Sequence, residues 1–336
     1  MKKVSIIIPV YNMAGYVEKN ISCITEQTYK NIEILLIDDG STDNSLEVCR
    51  RVKENDSRII VLTKENEGPG PARNLGLKKS SGEYVYFFDI DDYLYPQAIE
   101  KLVSVMEQRN TDLVACSFEM FDGKKVTRTI TKTDGLYRTG IEARIDYAKQ
   151  LYMYEPDGIQ GAPWYKLYKM NIIRNHNIEF PDIRKSEDDV FIAKYVNYIS
   201  SFAVTGEVLC RYYENTFRRF WDKYRFDMFD TAVKSTQYML DIVYGWNKEN
   251  TAVRDKIYGD YFQKTFASLC FLFNPELKLG ICKRYSRIKE ISAQFLRDIP
   301  KDDFKVNHPV FYYMKNGNYI RIYIRMTLYV MRHIFD

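Results

Sequence analysis

Residues 84–96 read YVYFFDIDDYLYP. The apolar run from Tyr84 to Phe88 ends abruptly in three carboxylates, Asp89, Asp91 and Asp92. A short unbroken apolar run bounded by polar residues fits a strand covered on both faces, as in a parallel sheet flanked by helices. Carboxylates at i and i+2 repel each other unless positive charge sits between them. A hard divalent cation would supply that charge, because Mg²⁺ and Mn²⁺ bridge one or two carboxylates to the phosphates of a substrate. The competing reading, a solvated acidic turn capping a helix that opens near Pro96, accounts for one of the three aspartates.

The same strand signature recurs on both sides of this stretch. Val4–Val10, Ile32–Ile37, Ile59–Leu62 and Asp112–Phe118 are rich in β-branched or aromatic residues and mostly apolar throughout. Helical patterns lie between them. Val17, Ile21 and Ile24 share a face, a segment from about 44 to 54 follows the Gly40–Ser41 turn, and another lies near Ile99–Met106. Alternating βα units predict an α/β fold with a doubly wound, mostly parallel sheet and its ligand site at the carboxyl ends of the strands. Asp38, Asp39, the Gly68–Asn74 turn and Asp89–Asp92 then share one rim.

Two rim stretches carry chemistry of their own. IDDGSTD at 37–43 ends a strand in two carboxylates that can accept from a base or a ribose, although Ser, Thr, Asp and Asn there also suit a helix-capping turn. NEGPGPARNLG at 66–76 is a Gly- and Pro-rich turn entering a helix, where free N–H groups and the helix dipole favour phosphate. Arg73 could add a charge-assisted bond to that phosphate. Gly68-x-Gly70 followed by Asp89 also imitates a dinucleotide fingerprint, which would suit a nicotinamide enzyme. The imitation fails at the third glycine, where Arg73 stands, and leaves Asp91, Asp92 and the 38–39 pair without a role.

Taken together, VSIIIPVYN, IDDGSTDNS, NEGPGPARNLG and FFDIDD, in this order and spacing, resemble the N-terminal half of family 2 glycosyltransferases with the GT-A fold, inverting enzymes that use nucleotide-diphosphate sugars. The resemblance is strong over about residues 1–120 and looser to about 215. It implies that Pro9, Tyr11 and Asn12 border the nucleotide, that Asp39 meets the base, and that Gly68 and Arg73 lie near the diphosphate. It places Asp89 near the ribose and Asp91 on a Mn²⁺ or Mg²⁺ ion. RKSEDDVF at 184–191 resembles the family's ED-x-x-F stretch, which makes Asp188 the catalytic base, with Glu187 and Asp189 alongside it. Inversion needs such a carboxylate to take the acceptor's proton while positive groups hold the leaving diphosphate. GAPWYKLYKM at 161–170 resembles the acceptor-side W-x-K-L-Y segment, where Trp164 could stack on a sugar or be a buried aromatic. Processive members carry Q-x-x-R-W and membrane spans. The nearest string here, TFRRFW at 216–221, does not match, so transfer of a single sugar follows.

Composition bounds the rest. The chain has 336 residues, 46% of them hydrophobic, and a net charge of +4 with basic and acidic residues interspersed. That is enough for a catalytic domain over 1–218, split into a nucleotide-sugar half (1–120) and an acceptor-side half (121–218), and a helical region over 219–336 with segments such as 223–245 and 252–274. Nucleic-acid binding is not supported. Six cysteines without C-x-x-C pairs or nearby histidines read as reduced, buried packing residues of a cytosolic protein. The start, MKKVSIIIPVYN, reads as a first strand in place of a signal peptide, because its apolar stretch is short and no cleavage site follows. A UDP-sugar donor and a glycan or lipid-linked glycan acceptor at the inner face of the cell membrane are the expected partners, and an inactive sugar-nucleotide or glycan-binding module is the alternative of another class.

The stretch 318–336, NYIRIYIRMTLYVMRHIFD, reads as a basic amphipathic helix. Arg321, Arg325 and Arg332 share a face, and Ile320, Ile324, Leu328, Met331 and Phe335 are expected to cover the opposite one. Such a helix suits a membrane interface or docks on the helices before it.

Overall fold

The computed structural model describes residues 1–131, 134–138, 162–183, 185–214, 227–242, 244–246, 251–300 and 304–333. The TFRRFW string, Arg184 and Phe335 lie outside them, as does much of the 121–161 stretch. The chain divides into two compact units, Met1–Asn215 and Thr216–Asp336.

The first unit is built on a mixed sheet. Its strands are β1 (Val4–Val10), β2 (Ile32–Asp39), β3 (Ile59–Lys64), β4 (Tyr84–Phe87), β5 (Tyr93–Leu94), β6 (Leu113–Phe121), β7 (Val126–Ile130), β8 (Gly135–Arg138), β9 (Lys166–Lys169) and β10 (Ser201–Tyr213). They run in the order β3-β2-β1-β4-β9-β6-β10-β5, with β7 on β6 and β8 on β10. The half from β3 to β4 is parallel, as the apolar runs predict, and side chains such as Ile7, Leu35, Val85 and Phe87 are fully buried there. Beyond β4 the sheet becomes mixed. Short β9 inserts antiparallel between β4 and β6, while β10 returns parallel to β6.

Helix Pro69–Lys79 packs on β1 and β2, and helix Ala98–Arg109 on β6 and β10. The first of these lies so close to the sheet that a Cβ on Gly76 would sit 2.5 Å from Ile7 Cγ2, so only glycine permits the contact. Parallel pairing then aligns the strand ends: Val10 faces Asp38, and Asp39 faces Lys64. β4 stops at Phe87, next to this rim, and the chain turns into Asp89–Asp92. Strand register thus brings Asp38 and Asp39 to the rim expected from the sequence, beside the turn that follows β4.

In the second unit, helices Met228–Ile242, Thr251–Phe271, Ile281–Asp298, Pro309–Lys315 and Tyr319–His333 surround a core that includes Tyr261, Phe262, Ile288, Phe295 and Phe311. The last helix departs from its sequence reading. It docks through Ile322, Met326 and Val330, all buried, with Tyr319 and Tyr323 packed beside them. The isoleucine–leucine–methionine stripe read from the sequence points outward instead. At about 100° per residue, Arg321, Arg325 and Arg332 border that stripe; they do not oppose it. Cysteines 23, 49, 116, 210 and 270 are buried free thiols as expected, and Cys282 is exposed.

Candidate functional site

The turn after β4 is fixed from three directions. Asp92 N–H donates to the Asp89 carbonyl (2.9 Å), and Asn20 Nδ2 donates to the Ile90 and Asp92 carbonyls (2.8 and 3.3 Å). Asp92 Oδ1 accepts the Tyr213 N–H at 2.8 Å, so the end of β10 is tied to the same turn. The other oxygen of this buried carboxylate, Oδ2, has no hydrogen-bond partner. Burial, then the charges of Asp89 and Asp91, push the Asp92 carboxyl far above the usual carboxylate range, against the stabilising Tyr213 N–H. The turn thus crowds three carboxyl groups together, and at Asp92 the crowding and burial favour the uncharged form.

Asp91 opens onto a pocket of about 310 Å³ that it shares with Tyr16, Lys19, Tyr93, Arg211 and Tyr213. Lys19 comes from helix Ala14–Asn20 and Arg211 from the end of β10. Arg211 is oriented by Glu119 (3.1 Å) and the Tyr95 hydroxyl (2.8 Å). Neither cation was found by sequence reasoning. No motif marks them, and only the pairing of β10 with β5 and β6 brings Arg211 to Asp91's side of the sheet.

Arg73 joins the rim to the start of helix Glu187–Val196. Its Nη2 donates to Asp89 Oδ1 (2.8 Å) and its Nη1 to Glu187 Oε1 (3.3 Å), with the Phe180 ring 5.4 Å from the guanidinium carbon. Burial opposes its charge, but Asp89, Glu187 and Asp188 together raise its pKa. The backbone is shaped for this contact: a Cβ on Gly70 would lie 3.3 Å from Glu187 Cγ. Glu187 is pushed up to about 7, by burial first and Asp188's charge second, with Arg73 pulling the other way. Asp188 is also raised, chiefly by burial, while Arg73 and backbone N–H groups resist. One of those bonds is Asp189 N–H to Asp188 Oδ1 at 2.9 Å. Three acidic residues in the first turn suit a helix N-terminus. Burying Glu187 against an arginine, with Asp188 half-buried beside it, goes beyond capping.

The other rim residues make contacts within the protein itself. Asp39, buried, accepts from Lys64 Nζ (3.2 Å) and from the Glu67 and Gly68 N–H groups (3.2 and 2.8 Å). Two N–H groups of the turn expected to face a phosphate are thus occupied by Asp39. Gly68 is needed there for its φ of 101°. The Arg73 guanidinium is likewise held by carboxylates. Asn12, at φ 52°, accepts the Thr42 and Asp43 N–H groups (2.8 and 3.3 Å) and knots the 41–43 turn to the end of β1. Beside it Pro9 is half-buried and Tyr11 exposed. Trp164 is a packing residue: it is 7% exposed, stacked on Tyr212 at 5.2 Å and edge-on to Phe118 at 4.8 Å. That takes the buried side of the two readings it allowed.

Residues 5–175, a little over half of the chain, match the family model described as glycosyl transferase family 2. Glycosyltransferase GlyA of Streptococcus pneumoniae is 32% identical over 210 residues, which is 59% of this chain and 28% of GlyA's length. Among solved structures, S. aureus TarS 1–349 in complex with UDP-GlcNAc has a TM-score of 0.64 at 20% identity, covering 89% of this chain and 82% of that one. The mannosyltransferase PcManGT from Pyrobaculum calidifontis, in complex with GDP-Man and Mn²⁺, has a TM-score of 0.54 at 15% identity over 98% of this chain and 87% of that one. At these identities the structural likeness is one of fold, and the fold is of the expected GT-A type.

Proposed function

The chain belongs to glycosyl transferase family 2, and on that footing we propose that it is an inverting, divalent-metal-dependent glycosyltransferase of the cytoplasmic side of the cell. It would move one sugar from a nucleotide-diphosphate donor, UDP-linked, to a growing cell-surface glycan or a lipid-linked glycan. Arg73 carries this reading. One buried guanidinium binds both Asp89, next to the pocket-lining Asp91, and Glu187, next to Asp188. That shared guanidinium supports reading the donor-side carboxylate turn and the half-buried Asp188 as parts of one active site.

The residues present fit a hard cation in one particular way. The available donors at the turn are all carboxylate oxygens, and Asp92 Oδ2 is a buried oxygen with no partner. Among the described residues no three His, Cys, Asp or Glu side chains form a cage. Asp91 is the residue that would hold the ion, and phosphate oxygens and water would fill the rest of its shell, a common arrangement for Mg²⁺. When bound, the ion offsets charge on the departing diphosphate.

The chain's own residues do the remainder. Lys19 and Arg211 add positive charge beside Asp91. Pro9, Tyr11 and Asn12 border the nucleotide, and Asp39 shapes the turn at Gly68 while Asp89 stays on Arg73. Asp188 removes the proton from the acceptor hydroxyl as that oxygen bonds to the anomeric carbon. The C1–O bond to the diphosphate breaks with its electron pair on the leaving group, and configuration inverts.

Incubation with UDP-GlcNAc or GDP-mannose and Mn²⁺ should release UDP or GDP, and NMR of the product should show a β linkage from an α donor. Donor binding without any release, with every acceptor class tried, would identify a binding module instead. Asp91→Asn should weaken donor binding in Mn²⁺ by at least about 10–100-fold, the range for residues that merely support a metal ligand. Wild-type affinity and an unchanged metal response in that variant would remove Asp91 from the site.

The raised pair also predicts a pH profile. A base must be deprotonated to work, so turnover should fall as pH drops through the range set by the Glu187–Asp188 pair, which extends up to about 7. Glu187→Gln deletes a like charge beside Asp188 and should move this acidic limb to lower pH with turnover retained. An unmoved limb would show that the pair does not govern the rate.

A further inference from the structure

The final helix has two apolar faces, and only one is used for folding. Ile322, Met326 and Val330 enter the core of the second unit. Ile320, Ile324, Leu328 and Met331 are 62, 52, 55 and 56% exposed. Their spacing places them within an arc of about 80° on the helix, and Arg321, Arg325 and Arg332, all exposed, fill the adjoining arc of about 40°. Four large apolar side chains in one continuous exposed stripe differ from the scattered surface apolar residues that need no explanation.

Charge decides what covers the stripe. From Phe304 to His333 the sequence contains no Asp or Glu, and Lys305, Lys315, Arg321, Arg325 and Arg332 are all exposed. A second copy of this chain meeting the stripe about a two-fold axis would set arginines against arginines with no carboxylate in the segment to pair them. An anionic bilayer answers both features at once. Apolar side chains enter the acyl boundary while the neighbouring arginines, on flexible stems, reach the phosphates of the headgroups. No described helix is long and apolar enough to cross a membrane, so the contact is parallel to the surface.

We propose that the exposed Ile320–Met331 stripe and its bordering arginines form a docking surface for an anionic lipid bilayer. The proposal does not rest on the transferase reading. Deleting the helix would remove Ile322, Met326 and Val330 from the core, so exposed-face substitutions in the full chain are the appropriate test. The wild-type chain should float with vesicles of phosphatidylglycerol and phosphatidylcholine in a density gradient, and float much less with phosphatidylcholine alone or at high salt. Ile324→Glu with Leu328→Glu should cut vesicle binding at least tenfold, taken as about an order of magnitude for two lost apolar anchors, with an unchanged melting temperature and unchanged binding of UDP. Each of Arg321→Gln, Arg325→Gln and Arg332→Gln should reduce affinity for the anionic vesicles by about fivefold. A wild-type chain that stays at the bottom of the gradient, or a double variant that floats equally well, overturns the proposal. So does light scattering that shows the double variant dissociating an oligomer of the wild type.

Discussion

Asp188→Asn is expected to lower turnover by about 10²–10⁴-fold, the usual contribution of a positioned general base, while UDP affinity in Mn²⁺ remains at the wild-type value. The amide keeps the size and position of the carboxylate and can still accept the Asp189 N–H, but it cannot take a proton from the acceptor. Donor affinity is spared because Asp188 does not line the pocket at Asp91. Stability should be unchanged or slightly higher, since a carboxyl whose pKa is raised in the fold is one whose charge is costly to hold there. Steady-state rates with donor and acceptor saturating, together with isothermal titration of UDP, check the two halves of the expectation. Near-normal turnover would transfer the role to Glu187 or Asp189.

What the sequence revealed, and what it hid, follows from the range of the interactions involved. Strands β1, β2 and β4 are legible because they are buried almost throughout and mostly apolar, and the less buried β3 still carries the apolar run Ile59–Leu62. β9 is different. Lys166–Lys169 reads Lys-Leu-Tyr-Lys without alternation, is four residues long, and pairs with strands far from it in sequence, so no local pattern announces it. The acidic motifs were legible as residue types, but their partners were not. Asp39 reads from the sequence as a carboxylate for a ligand, and its bonds to Lys64 and to the Glu67 and Gly68 N–H groups emerge only in the fold. Arg73 reads as a donor to phosphate, and its bonds to Asp89 and Glu187 likewise emerge only in three dimensions. In each case the sequence identifies a charge at the rim, and the fold decides whether the chain itself already answers that charge. The cations that stay beside Asp91, Lys19 and Arg211, carry no motif because their position depends on a helix end and a strand end that meet only in three dimensions.

Arg73→Met should cost about 3–5 kcal/mol of stability at pH 8, the penalty for removing one partner of a buried ion cluster and stranding the others. The methionine replaces most of the arginine's apolar stem, so the loss isolates the charge. Asp89, Glu187 and Asp188 would then share a buried region without their cation. Arg73→Lys should recover little, because the planar guanidinium donates to Asp89 and Glu187 from two separate nitrogens, and an ammonium is a compact point charge on a shorter reach. Pairing Arg73→Met with Glu187→Gln should restore part of the loss, which makes the two substitutions strongly non-additive in a double-mutant cycle. The pH dependence has a definite sign. Glu187 titrates near 7 when folded and at its lower ordinary value when unfolded, so its ionised form destabilises the fold fully above about 7 and not at all once pH falls below the unfolded value. Removing Arg73 intensifies that effect, and the variant should therefore lose less stability at pH 5 than at pH 8. Urea midpoints of the wild type, Arg73→Met, Glu187→Gln and the double variant at the two pH values measure this. Equal stability of Arg73→Met and the wild type at pH 8, or a larger loss at pH 5, would mean that Arg73 is not the counter-ion that holds the two carboxylate motifs together.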